Sequence, residues 1–189
     1  LQSFQIAIAI TPPSAPQWQI DQLKNLGAQL ETAYYENRGR TGPLPLCGDS
    51  IEVDPFTDGR GATLGYTKPI LLLTDELTTS WGDSFAHLMA DNKRATLFGY
   101  RTNGAGGTID RYEGGFYAEA QTTVTISLGV RPQLVQVPGF PATAYYENTG
   151  IWPDISYDVM TAENLRTGYA PYVAAFTAAI VDEINKGAR

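Results

Sequence analysis

The chain has 189 residues, 43% of them hydrophobic and 17% charged. That composition suits one domain with a sizeable core and excludes an intrinsically disordered chain. The formal net charge of −7 repels phosphate and argues against a nucleic-acid partner. Cys47 is the single cysteine, which excludes an internal disulfide and Cys/His zinc spacing.

The opening LQSFQIAIAI has no initiator methionine, basic region or cleavage-site pattern, and reads as an interior start of a longer polypeptide. Ile6, Ile8 and Ile10 predict a strand over 4–10, which the TPPSAP stretch at 11–16 breaks. Trp18, Ile20, Leu23, Leu26 and Leu30 fall at helical spacing and predict a helix over 18–35. Residues 37–68 are rich in Gly, Pro and Asp and read as a long irregular connection. PILLLT at 69–74 then predicts a buried strand. The apolar runs at 6–10 and 69–73 are the longest, far too short to cross a bilayer as helices.

A polar turn, DELTTSWGD, leads into a helix over 82–92 whose apolar face is Phe85, Leu88 and Met89. ATLFG at 95–99 predicts the next strand, which makes a βαβ unit with a right-handed crossover. Beyond the glycine-rich loop at 101–108, residues 116–137 are β-rich with breaks at Gly129 and Pro132. A short strand over 142–146 and a final helix over 161–185, kinked at Pro171, complete the chain. No domain boundary stands out. TAYYEN occurs at 32–37 and again at 143–148, and without a surrounding repeat it reads as coincidence.

A strand, sharp turn and helix put Ser80 at a helix amino terminus, where backbone amides and the helix dipole favour negative charge. There a serine can act as a nucleophile, with the Trp81 amide helping to hold an oxyanion. Ser80 to Asp83 is equally the spacing of a capping box, a purely structural arrangement. The Gly104-Ala105-Gly106-Gly107 loop lacks the Lys-Ser/Thr of a P-loop; its glycines suit a tight turn close to a substrate backbone. Asp54/Asp58 and Asp75/Glu76 do not follow cation-loop spacing and read as solvated turns.

Residues 66–108 run through a hydrophobic strand, an S-x-x-[DE] turn, a helix ending Asp91-Asn92-Lys93-Arg94-Ala95, a strand ending in Gly99 and a T-x-G-x-G loop. Residues 145–159 add Glu147-Asn148-Thr149-Gly150-Ile151-Trp152-Pro153. This ordered series resembles the tail-specific (C-terminal processing) and tricorn family of serine peptidases. The likeness is good over 66–189 and poor before that.

The resemblance implies an α/β fold with a ββα superhelix, crotonase-like core, here the carboxy-terminal part of a catalytic domain and incomplete at its amino terminus. It implies that Ser80 is the nucleophile, that Trp81 gives a backbone oxyanion donor, and that Glu147 orients a histidine. Gly104, Gly106 and Gly107 become candidate substrate-binding residues, and Asp83 a structural one. One branch of the family deprotonates its serine with a lysine 25 residues downstream; here that position is Ala105. The other uses Ser-His-Glu, yet the only histidine, His87, lies seven residues along the same helix. Two turns, roughly 10 Å, are too far for an imidazole to reach back.

The expected base and second oxyanion donor therefore belong to an upstream part of the protein, and this chain alone is expected to be inactive. The implied partners are a peptide or protein substrate and the amino-terminal part of the same protein, with no metal or organic cofactor. The resemblance suggests a secreted or periplasmic setting. Two other readings stay open: a non-catalytic binding module on the same fold, and a self-associating structural piece.

Overall fold

The computed structural model describes residues 14–44, 57–62, 64–113 and 121–187, and the strand predicted over 4–10 lies outside them. The chain divides into two compact units, Leu1–Gly65 and Tyr66–Arg189, a boundary that composition did not reveal. The second unit begins at Tyr66, the first residue of the motif series that runs over 66–108.

In the first unit, α1 (Gln17–Tyr35) starts after Pro16 and ends where Asn37 turns left-handed at φ 53. Ile20, Leu23, Leu26 and Leu30 are half-buried, as their spacing predicts, and Ala33 is fully buried.

In the second unit, β1 (Leu71–Thr74), β2 (Thr96–Gly99) and β7 (Ile155–Ser156) form a parallel sheet in the order β1-β2-β7. Between β1 and β2 runs α2 (Trp81–Asp91), giving the predicted βαβ unit with Leu71 opposite Thr96 and Thr74 opposite Gly99. Alternate residues of a strand face opposite sides of the sheet. Leu97 faces Ala86 of α2 and forms a core with Tyr146 and Ile151, against which Leu72, Ala90 and Ala95 pack. Phe98 faces the other way and meets Tyr157 at 5.6 Å and Tyr172 at 6.0 Å between ring centroids. Its near-complete burial is worth about 1.5–3 kcal/mol.

Two antiparallel pairs complete the unit. One joins β3 (Ile109–Glu113) to β4 (Gln121–Thr125), and the other joins β5 (Val130–Val135) to β6 (Thr143–Tyr145). The predicted break at Pro132 is not a strand end: Pro132 lies inside β5, where the ladder shifts register and its missing N–H is tolerated. The predicted final helix is two helices, α3 (Ala162–Arg166) and α4 (Ala170–Gly187). The break falls at Gly168 and Tyr169, both left-handed, and not at Pro171. Pro171 instead stands in the first turn of α4, where its absent N–H has no helical partner to lose. Tyr172 and Phe176 of α4, 5.3 Å apart, cover the Phe98 face of the sheet.

Among the described residues, no helix is long and apolar enough to cross a membrane.

Candidate active site

The turn that presents Ser80 is built by the side chain of Asp75, which its spacing alone reads as part of a solvated turn. The Asp75 Oδ1 accepts the Leu77 N–H (3.0 Å), the Thr78 N–H (2.9 Å) and the Thr78 hydroxyl (3.0 Å). The Asn103 N–H donates to Thr78 O at 2.8 Å, tying the turn to the segment that follows β2. The chain then reaches Ser80 with φ 59 and ψ −120. A residue carrying a Cβ occupies such space at a cost of about 1–3 kcal/mol, and strain of this kind concentrates at functional sites.

The capping-box alternative does not describe this turn. Ser80 is exposed and makes no side-chain cap hydrogen bond. The Trp81 N–H donates to no group among the described residues. Asp83 does not reach back to Ser80; it is fully buried and accepts the Gly104 N–H at 2.9 Å and the Ala105 N–H at 3.1 Å. Its expected structural role is thus to hold the glycine-rich loop.

That loop also holds Glu147. The Gly107 N–H donates to Glu147 Oε2 at 2.8 Å, and the Asn148 N–H donates to Gly104 O at 2.7 Å. Further along, the Ile151 N–H donates to the buried Thr102 hydroxyl (2.8 Å), and the Thr102 N–H returns a bond to Ile151 O (2.9 Å). Asp83 from the start of α2 and Glu147 from the turn after β6 therefore grip the same four-residue loop. The glycines are accounted for by the chain itself. Gly104 is left-handed at φ +79, and a Cβ there would lie 2.6 Å from Gly150 N. At Gly106 a Cβ would stand 2.0 Å from the Tyr146 ring, and at Gly107 it would stand 2.2 Å from Ser127 O.

The twin motif separates Glu147 from Glu36. Glu36 follows the end of α1, is exposed and pairs with Arg38. Glu147 is half-buried and anchored to backbone. The shared letters sit in unrelated surroundings, as expected of coincidence.

His87 is packed, not poised as a base. It is buried, its Nδ1 lies 3.2 Å from Asp91 Oδ2, and its ring stacks on Tyr146 at 5.1 Å and 27°. Burial alone would raise the Asp91 carboxyl, but hydrogen bonds from Arg131 and His87, with their charges, outweigh it and hold the carboxyl below its ordinary value. Lys93, at the far end of α2, is exposed. No group of three or more His, Cys, Asp or Glu side chains could hold a metal among the described residues. Asp58 instead accepts the Arg60 and Ala62 amides, building a turn; Asp54 lies outside the described residues.

A groove of about 900 Å³ opens at the amino-terminal ends of β1 and β2, lined by Lys68, Ile70, Lys93, Thr96 and Asp154. Neither Ser80 nor Glu147 lines it. Asp154 there accepts the Leu97 N–H at 2.8 Å, a structural bond that braces β2.

Sequence reasoning missed Asp75, Thr102 and Tyr146. The first had a signal in its D-x-x-T spacing, which suits an Asx turn. The other two act through contacts distant in sequence.

Comparison with known proteins places the chain among relatives. The chain is 30% identical to a protein of Chlamydia trachomatis over 169 residues, covering 87% of this chain and 25% of that protein. An uncharacterized protein of Chlamydia muridarum is 31% identical over 146 residues, covering 76% of this chain and 22% of that protein. Among solved structures, mature CPAF, the chlamydial protease-like activity factor, superposes with a TM-score of 0.64 at 29% identity, covering 88% of this chain and 29% of CPAF. CPAF complexed with lactacystin gives a TM-score of 0.63 at 29% identity, covering 88% of this chain and 30% of that one. The chain thus spans about a quarter of the length of the curated relatives it matches. Residues 20–157 match Peptidase family S41, and the chain belongs to that family.

Proposed function

We propose that this chain carries the nucleophile and the acidic member of a serine endopeptidase site, on a ββα superhelical frame completed by an upstream part of the protein. The observation that carries the reading is Ser80: exposed, uncapped and held at φ 59 immediately before α2. A serine whose side chain makes no structural bond, kept in backbone space that glycine would occupy more easily, is best explained by what its hydroxyl does.

In this reading an upstream histidine takes the Ser80 proton as Oγ bonds to the scissile carbonyl carbon. The carbonyl oxygen becomes an oxyanion that accepts from the Trp81 N–H and an upstream N–H. The intermediate collapses, the peptide C–N bond breaks, and the amine leaves with the histidine's proton. Water then repeats the sequence on the ester, returning the proton to Ser80. Glu147 orients the histidine and balances its charge. Its second oxygen remains for that task while Oε2 accepts the Gly107 N–H.

The test compares the isolated chain with the full-length polypeptide, using a fluorophosphonate probe and casein. The full-length protein is expected to label at Ser80 and to lose hydrolysis on Ser80→Ala, while the isolated chain labels weakly or not at all. Lactacystin, with which CPAF has been solved, is a second candidate probe. Ser80-dependent casein hydrolysis by the isolated chain would contradict the upstream base.

A further inference from the structure

We infer that Tyr146 is a positioning residue that fixes Glu147 relative to Ser80; this rests on the role given to Glu147 above. Tyr146 is the residue immediately before Glu147, and it is held on every side. Its ring is buried and stacks on His87, and its hydroxyl lies 3.1 Å from Ser84 Oγ. The ring fills the space where side chains at Gly106 and Gly129 would begin, since a Cβ at either would stand 2.0 Å from it. Its carbonyl accepts the Gly150 N–H (2.9 Å) and the Thr149 N–H (3.2 Å), closing the turn that contains Glu147.

The far end of this chain of contacts is the nucleophile's own turn. Ser84 is buried in the first turns of α2, and its N–H donates to Ser80 O at 3.2 Å. Tyr146 thus bolts the acid-bearing turn to the helix that begins beside Ser80. Asp91, bridged to Arg131, holds the His87 ring from behind. A phenylalanine would fill the same volume, so the hydroxyl contributes the directed bond to Ser84. That bond selects one rotation and depth of the ring and, with it, one placement of Glu147.

The consequence is specific. A carboxylate close to an imidazole favours the charged imidazole and raises its pKa. If Tyr146 loosens, Glu147 retreats from the histidine, and the histidine's pKa falls. The acid limb of the activity profile then moves to lower pH. Buried Tyr146 offers substrate no surface, so KM should hold while kcat drops.

The experiment uses the full-length polypeptide with Tyr146→Phe and Ser84→Ala, each of which removes the same bond, and the double variant. Expected are a kcat lowered roughly tenfold by misplacement, an unchanged KM, an acid limb shifted to lower pH in both single variants, and no further loss in the double. Ser84→Ala leaves the ring in place and carries the test if Tyr146→Phe fails to fold. A lowered melting temperature with wild-type kcat and an unmoved acid limb in the folded protein would overturn the inference. Ser80→Ala and Glu147→Gln separate the two levels. If both retain hydrolysis, the peptidase reading fails. If both abolish it while Ser84→Ala behaves as wild type, only the positioning role fails.

Discussion

Replacing Ser80 by glycine should stabilise the chain while removing the proposed chemistry. Ser80 stands at φ 59 and ψ −120, where a Cβ costs about 1–3 kcal/mol. Glycine enters that space freely, although its greater freedom in the unfolded chain takes back about 0.5–1 kcal/mol. No cap hydrogen bond is lost, because the side chain makes none, and little burial is lost, because the residue is exposed. The net is a gain of roughly 0–2.5 kcal/mol. Ser80→Ala keeps the Cβ and its strain, so it should stay within about 0.5 kcal/mol of the parent. Urea unfolding with an unchanged m value reads both differences. For a chain of this size each kcal/mol moves the melting temperature by about 2–4 °C. An ordinary serine cap gives the opposite pattern: glycine costs a few tenths of a kcal/mol and alanine about 1 kcal/mol. Observing that pattern would refute the argument that Ser80 is held against its conformational preference.

Other consequences follow from the same contacts. Asp83→Ala should destabilise by roughly 2–5 kcal/mol, because it strands the Gly104 and Ala105 amides beside a fully buried position; denaturant unfolding measures this. Gly106→Ala should be strongly destabilising, since its Cβ would meet the Tyr146 ring at 2.0 Å, and should also reduce Ser80 labelling in the full-length protein. The Asp91 carboxyl, paired with Arg131 and His87, is lower in the folded chain than its ordinary value of 3.8. Its contribution is therefore complete above about pH 3.8 and is lost as pH falls through the lower folded value. Asp91→Asn should flatten the acid side of a stability-against-pH curve, and an unchanged curve would count against the pairing.

Local pattern carried much of the architecture. The Ile20 to Leu30 spacing in α1, the three leucines of β1 and the TLFG of β2 made these elements legible, although β1 is less buried than its leucines predict: Leu73 is 41% exposed, and only Thr74 is fully buried. The Thr161–Gly187 region was misread because its apolar period runs on past the break. Only the left-handed Gly168-Tyr169 step ends α3, and Pro171 looks like a breaker until its place in a first turn is known. At the site, the serine turn was visible as strand, turn and helix. What distinguishes it from a cap, a strained backbone and an Asp83 turned toward Gly104, depends on a loop about twenty residues away. Glu147 and Glu36 share their neighbours in sequence, so only the third dimension separates a backbone-anchored carboxylate from a surface ion pair. Tyr146 carried no signal at all, because its partners Ser84, His87, Gly106 and Gly129 are scattered along the chain.

The most direct measurement maps the fluorophosphonate adduct on the full-length polypeptide by peptide mass spectrometry. An adduct on Ser80 that disappears, together with casein hydrolysis, in Ser80→Ala is the predicted result. Hydrolysis that survives Ser80→Ala, or an adduct on a different serine, contradicts it.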